Sequence, residues 1–256
     1  MSNFLLDWDT IADREYELGV SMGVLFPQGK NGVAWSGLSA VNEKPSGAEE
    51  TKIFADNMKF LSLFSAEEYG LTIEAYTYPD EWMACDGSAQ VVPGVVLGQQ
   101  KRSPFGFCYR TEVGNEEKGE DYGYKLHLVW NCKAQPSERN HETINDSPDL
   151  SPFSWEVTTT SVKLSPYDVE KGVDPDTGAK ITETVTPKPL AHMEIDTTKL
   201  TGDAVDYFKK LESILYGTPA GKDDTGADIP EVKATLPTPD QVIELMTTGI
   251  IATSVG

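Results

Sequence analysis

A chain of 256 residues with 39% hydrophobic content can bury a sizeable core, as one large all-β domain or two smaller ones, and is not the chain of a disordered protein. Its 41 Asp and Glu against 21 Lys and Arg give a formal charge of −20 at neutral pH. That charge repels phosphates and anionic headgroups and argues against sequence-specific DNA binding, an affinity made largely by cations that neutralise phosphates.

The first ten residues, MSNFLLDWDT, carry no basic region and no long apolar run. Nowhere are there about 18 uninterrupted apolar residues, so neither a signal peptide nor a membrane span is expected. From about residue 18 to residue 200, short β-rich runs are broken by Gly, Pro, Asn and Asp. Strands are predicted at 19–26, 32–41, 58–64, 71–78 and 94–100, followed by a pair at 105–110 and 124–130. In that pair Phe105, Phe107 and Tyr109 share one face. Tyr124, Leu126, Leu128 and Trp130 share a face of the second run, with Arg110, Lys125 and His127 opposite. The pattern is that of a half-buried hairpin with a polar, structureless tip at 111–121.

Runs at 153–162, 181–187 and 190–198 bring the total to eight to ten strands. Long loops are expected at 41–51, 112–121, 133–150 and 165–180, and loops of that length in a compact domain usually serve binding or subunit contacts. The period then becomes helical. Over 202–217, Ala204, Phe208, Leu211 and Leu215 recur on one face, with Asp203 to cap the start and Gly217 to close the end. Residues 217–237 read as a flexible linker, and 238–249 as a short helix opened by a Thr238/Gln241 capping box with Pro239 in its first turn and closed by Gly249. The expected fold is therefore mainly β, a sandwich or partly open barrel of two sheets, with a flanking α-helix and a short C-terminal helix. Residues 1–216 form the β domain with its flanking helix, and 217–256 are linker and short helix, either part of that domain or an arm toward a neighbouring subunit.

Chemistry-bearing motifs are sparse. There is no P-loop, dinucleotide fingerprint, H-E-x-x-H or nucleophile elbow, and His127, His141 and His192 fall in unrelated contexts. Glu74, Asp80, Glu81 and Glu156 are candidates for a glycosidase pair, but among 41 acidic residues a plausible pair arises by chance. The stretches DPDTGAK (174–180) and DDTGAD (223–228) open like calcium loops without reaching a bidentate Glu, and Asp-Gly turn chemistry accounts for both. Cys85, Cys108 and Cys132, odd in number and without C-x-x-C spacing, read as small buried hydrophobes in a reducing cytosol. No enzyme activity, cofactor or metal is expected.

Longer blocks carry more. GVLFPQGKNGVAWSGLSAVNEKPSGAE (23–49), GLTIEAYTYPDEWMACDGSA (70–89), GQQKRSPFGFCYRTEVGNE (98–116), DYGYKLHLVWNCKA (121–134) and TINDSPDLSPFSWEVTTTSV (143–162) resemble a bacteriophage major tail protein. The resemblance is to the tail tube subunits of long-tailed, non-contractile phages, of the type found in phages of Gram-positive bacteria, and it is strongest over residues 20–162. It implies a β-sandwich with a flanking helix, no active site, and a structural role in the virion tail after assembly in the host cytoplasm. The implied partners are copies of the chain itself, in hexameric rings stacked into a tube, together with tape-measure, tail-terminator and distal tail proteins. Double-stranded DNA passes through without tight binding, and no membrane is involved.

Elementary geometry suits that role. If each of the subunits in a ring contributes four strands to a shared barrel, about two dozen strands spaced about 4.8 Å apart and tilted by about 40° give a diameter of about 45–50 Å, wide enough for a duplex. An acidic lining offers phosphates no cation to bind. On this reading Glu43 and Lys44 in the 41–51 loop, and Glu112, Asn115, Glu116, Glu117, Lys118, Glu120 and Asp121 around the tip, touch neighbouring subunits. Strands 58–64 and 71–78 form the lumen-side sheet, with Glu74 as a lumen carboxylate. The alternative is a carbohydrate-binding or decoration β-sandwich on a virion surface that grips sugar with Tyr76, Tyr78, Trp82 and Trp130.

Overall fold

The computed structural model describes residues 14–251 apart from 138, 140, 142, 144–151, 174–179 and 223–227. The first ten residues, nearly all of the 174–180 stretch and most of the 223–228 stretch lie outside the described residues. The chain is mainly β, with antiparallel sheets and three helices. Its strands are β1 (Glu15–Pro27), β2 (Val33–Trp35), β3 (Leu38–Glu43), β4 (Ser46–Gly47), β5 (Glu50–Ala55), β6 (Met58–Phe64), β7 (Glu67–Glu68), β8 (Gly70–Ala75), β9 (Ala89–Val92) and β10 (Val95–Leu97). They continue as β11 (Phe105–Asn115), β12 (Gly119–Ala134), β13 (Phe153–Thr159), β14 (Tyr167–Val173), β15 (Lys180–Val185), β16 (His192–Asp196), β17 (Gly221–Lys222) and β18 (Asp228–Ile229). The helices are α1 (Trp82–Asp86), α2 (Asp203–Tyr216) and α3 (Pro239–Thr248).

One sheet organises the molecule, in the order β2-β1-β11-β12-β13-β8-β3, with β16 pairing β12 as an eighth strand. It is strongly curled. Laid flat, β2 and β13 would stand about 19 Å apart at the usual strand spacing, yet the rings of Trp35 in β2 and Trp155 in β13 have centroids 5.7 Å apart. The long strand β12 makes the bend. Residues 125–129 pair with β16 and 132–134 with β13, and between them Asn131 sits at φ 50°, a bulge conformation that Asn tolerates better than most residues. The extra residue also resets the side-chain alternation. Leu126, Leu128 and Trp130 point to the outer face, whereas Val129, Cys132 and Ala134 point into the curl.

The inner core is aromatic. Trp82, carried on α1, packs 4.6 Å from Trp35, 5.0 Å from Phe105 and 5.2 Å from Trp155 and fills one end of the curl. The outer core forms where Phe208, Leu211 and Leu215 of α2, with Val242 and Leu245 of α3, cover Val24, Phe26, Cys108, Leu126, Leu128 and Trp130. Full burial of each such side chain contributes about 1.5–3 kcal/mol. With both faces covered, β11 and β12 are buried on two sides at their centre, rather than on one as their alternation suggests.

Three further expectations need correction. Arg110 does not oppose Tyr124 but shares its face, because it stands directly across from Leu126 in the ladder. Its guanidinium lies 4.2 Å from the Tyr124 ring centroid, donates to the Tyr216 hydroxyl at 2.9 Å and pairs with Glu212, fastening α2 to the sheet. Residues 232–237 are not a free linker. Ala234 accepts from the Gly32 amide at 2.7 Å, Pro237 accepts from the Trp130 indole at 2.8 Å, and Leu236 packs into the outer core. Asp203 lies inside the first turn of α2, and Gly202 takes the cap position. The capping box of α3, its early proline and its left-handed Gly249 are all present as predicted, and the three cysteines are free and buried.

Candidate functional site

Strands β3, β4 and β5 pair in turn with β8, β7 and β6 in a single register. Glu43 stands opposite Leu71, Gly47 opposite Glu67, Glu50 opposite Phe64 and Ile53 opposite Leu61, with no residue gained or lost between the three ladders. Residues 38–75 are therefore one long hairpin arm. It turns at Asp56 and Asn57, whose φ of 51° and 60° suit the tight turn that matches strand twist. The base of the arm lies in the main sheet and its distal half, β5 and β6, pairs only with itself.

The sequence of that distal half is wrong for water. Phe54, Met58, Phe60 and Phe64 are each two-thirds or more exposed, and Ile53, Leu61 and Leu63 are exposed beside them. Along β6, Leu61 and Leu63 share one face and Phe64 lies on the other, with Phe60 at a bulge between Lys59 and Leu61, so apolar side chains stand on both faces of the strand. Glu50 gathers Lys52, Lys59 and Ser62 near the base of the distal half. A second hairpin, β9 with β10, exposes Val91, Val92, Val95, Val96 and Leu97 around a turn at Gly94.

Here the loop expected at 41–51 proves to be the middle of a hairpin. Strands 58–64 and 71–78 do not form one sheet within the subunit: β6 pairs β5, whereas β8 lies between β13 and β3. Sequence patterning marks strands but not their partners. The acidic tip is also ordered. β11 runs to Asn115 and β12 starts at Gly119, leaving three turn residues, and Glu15–Leu18 of β1 pair alongside. The Asn115 side chain accepts from the Lys118 amide at 2.6 Å and is buried, so it builds the turn and is not available as a contact residue.

The other named residues are distributed as follows. Glu112 accepts from Ser21 at 3.2 Å, Glu116 pairs with Arg14 at 3.4 Å, Glu117 is exposed, and Lys118 lies 5.2 Å from the Tyr122 ring centroid. The side chains of Glu120 and Asp121 lie outside the described residues. Glu43 ends β3 and accepts from the Tyr109 hydroxyl at 3.0 Å, while Lys44 pairs with Glu156 at 3.0 Å. Glu74 is half-buried on the face of β8 turned away from Ile73 and Ala75. Of the four aromatic residues expected to grip sugar, Trp82 and Trp130 are buried in the two cores, Tyr78 is half-buried and Tyr76 is exposed, so they form no platform.

Sequence spacing missed one cluster entirely. His127 and His192, which look unrelated along the chain, face each other across β12 and β16 with Nδ1 of the first 3.2 Å from Nε2 of the second. Glu43 joins them from β3, with its Oε1 3.6 Å from His127 and 3.8 Å from His192. Tyr109 stacks on His127 at 4.5 Å and Tyr69 on His192 at 4.6 Å. His127 is buried, and desolvation pulls both imidazoles below the usual histidine range, against the opposing pull of Glu43 and Glu194. Only the tertiary placement of three strands distant in sequence, β3, β12 and β16, brings these groups together, and the residue order carries no signal of it. Comparisons with protein-family models and with curated proteins give no match, and the chain's own geometry carries the functional reading.

Proposed function

We propose that this chain is a structural virion protein, the tail tube subunit of a long-tailed phage, which polymerises as stacked hexameric rings into the conduit for genome delivery. The observation that carries the reading is the distal arm. A two-stranded hairpin is marginal in water even with good turn chemistry, and one that exposes Phe54, Met58, Phe60 and Phe64 needs a partner surface to bury them. The arm continues the edge of the main sheet beyond the body, so a neighbouring copy offers both apolar cover and strands to pair with. The valine-rich β9–β10 hairpin is a second surface of the same kind.

One further feature supports it. The faces of β8 and β13 turned away from the inner core carry the accessible side chains of Glu74, Ser154, Glu156 and Thr158, a wettable surface suited to a passage for a polyanion. Among the described residues no helix is long and apolar enough to cross a membrane. The fold is of the tail-tube sandwich type on this reading, and the partners are other copies of the chain, with tape-measure, tail-terminator and distal tail proteins at the ends of the tube.

Negative-stain electron microscopy of the concentrated protein, beside size exclusion of a dilute sample, tests the proposal. Hollow tubes or six-fold rings are expected. A species that stays monomeric at every concentration, and that does not join preformed ends when these are supplied, overturns it.

A further inference from the structure

Along the paired strands β11 and β12, the inward side chains pass from Phe105 and Cys132 through Phe107 and Val129 to Tyr109 and His127, and then to Thr111 and Lys125. The interior of the curl thus becomes polar at the end away from α1, where Glu43, His127 and His192 meet. We propose that these three side chains form a binding site for one divalent transition-metal ion of the zinc class.

Geometry comes first. The donor atoms His127 Nδ1, His192 Nε2 and Glu43 Oε1 are separated by 3.2, 3.6 and 3.8 Å. A point about 2.1 Å from all three therefore exists, and about 2.0–2.2 Å is the distance at which zinc holds imidazole nitrogen and carboxylate oxygen. The ligand set, two imidazoles and one carboxylate, is that of zinc sites which leave a position for water.

Orientation comes second, and the hydrogen bonds settle it. The Thr111 hydroxyl donates to Glu17 at 2.6 Å, which uses its only proton. Its 2.9 Å contact with His127 Nε2 therefore requires that nitrogen to be the donor. Neutral His127 is left with its lone pair on Nδ1, on the side of the ring that faces His192. The chain Glu17–Thr111–His127 is the kind of outer support that fixes the tautomer of a metal-binding histidine. Without metal, His192 Nε2–H donates to that lone pair. On binding, this proton moves to His192 Nδ1, and none has to leave the protein.

Charge comes third. Lys125 pairs with both Glu17 and Glu194, at 2.9 and 3.1 Å. Among the described residues no Lys or Arg pairs with Glu43, whose neighbours are the hydroxyls of Tyr109 and Tyr69 and the two imidazoles. A divalent cation supplies the missing positive charge. The Tyr69 hydroxyl is buried beside Glu43 and Tyr109 without a well-formed hydrogen bond to either, and it lines the open position that a metal-bound water takes. Glu43 is 40% exposed, so the site can be reached from solvent.

The test uses the dilute, unpolymerised full chain and cobalt(II) as the only added ligand, and so does not depend on tube formation. Wild type is expected to take up one cobalt per chain with the visible absorption of a low-coordinate site, which zinc then displaces. His192→Gln and Glu43→Gln are each expected to weaken binding by at least about tenfold, whereas His141→Gln, in a separate exposed segment, leaves it unchanged. Glu43→Gln alters an exposed side chain at a strand end and keeps the test valid if His192→Gln misfolds. Saturating zinc is expected to raise the Tm of wild type and not of Glu43→Gln, since the ion ties β3 to β12 and β16. Absence of saturable binding to wild type, binding unchanged in Glu43→Gln, or binding abolished by His141→Gln would each overturn the site.

Discussion

The two halves of the 38–75 hairpin obey opposite rules. At the base, Leu71, Ile73 and Ala75 are buried inside the curl, while the other face of β8 carries Thr72 and Glu74. At the distal end, Phe60, Leu61, Leu63 and Phe64 are all accessible, although the strand has the composition of a buried one. One continuous ladder thus joins a segment whose burial is complete within the chain to a segment whose burial is not. Folding and assembly are written into the same hairpin at different distances from the body.

The strongest way to break the body is to empty its centre. Trp155 is fully buried and packs within 6 Å, centroid to centroid, of Trp35, Tyr78, Trp82 and Phe153. Trp155→Ala is expected to cost about 3–5 kcal/mol, because four rings cannot collapse into the cavity. Urea unfolding followed by far-UV circular dichroism measures it, and a loss below about 1 kcal/mol would mean that the aromatic cluster is not what holds the curl.

The body was legible in the sequence to the extent that its signals are local. The helical period of 202–216 and the Thr238/Gln241 capping box mark their helices within a residue or two, whereas the alternation at 105–110 and 124–130 finds the central hairpin but falls four or five residues short where its strands run on into the polar tip and past Trp130. What was missed is non-local. The arm is hidden because 41–51 is polar enough to pass for a loop, and only pairing with 63–73 makes it strand. Alternation alone puts Arg110 on the wrong face, because the register of β11 on β12 decides which side chains are neighbours. His127 and His192 are 65 positions apart and become a pair through β16 alone. The apolar surface of the distal arm was visible as composition, but nothing in composition says whether a strand is covered by its own chain.

A smaller effect separates the body from its helix layer. Arg110 and Glu212 are both less than one-fifth exposed, and the Tyr124 hydroxyl also donates to Glu212 at 2.7 Å. Glu212→Gln leaves the guanidinium without its counter-charge, and a loss of about 2 kcal/mol is expected once partial solvent screening is allowed for. Combining it with Tyr124→Phe in a double-mutant cycle should give less than the sum, because both act through one carboxylate. Smaller again, Thr238→Ala removes the side-chain acceptor for the Gln241 amide and is expected to cost about 1 kcal/mol, read as a shift in Tm.

The smallest effect on folding is expected in the arm, and there it is the most informative. Phe60→Ser with Phe64→Ser changes two side chains that are 73% and 70% exposed, so the stability of the monomer should move by no more than about 0.5 kcal/mol. Association should respond in the opposite sense. If the arm is buried against a neighbouring copy, each phenylalanine is worth about 1.5–3 kcal/mol there, and losing both should shift the onset of polymerisation in sedimentation or light scattering by more than a hundredfold in concentration. Unchanged polymers would show that the arm is not the joint between copies, and an unfolded monomer would show that its apolar side chains serve the body after all. A monomer of normal Tm that no longer assembles is the outcome that separates the two halves of the hairpin, because only a surface whose partner lies outside the chain can be erased without cost to the fold.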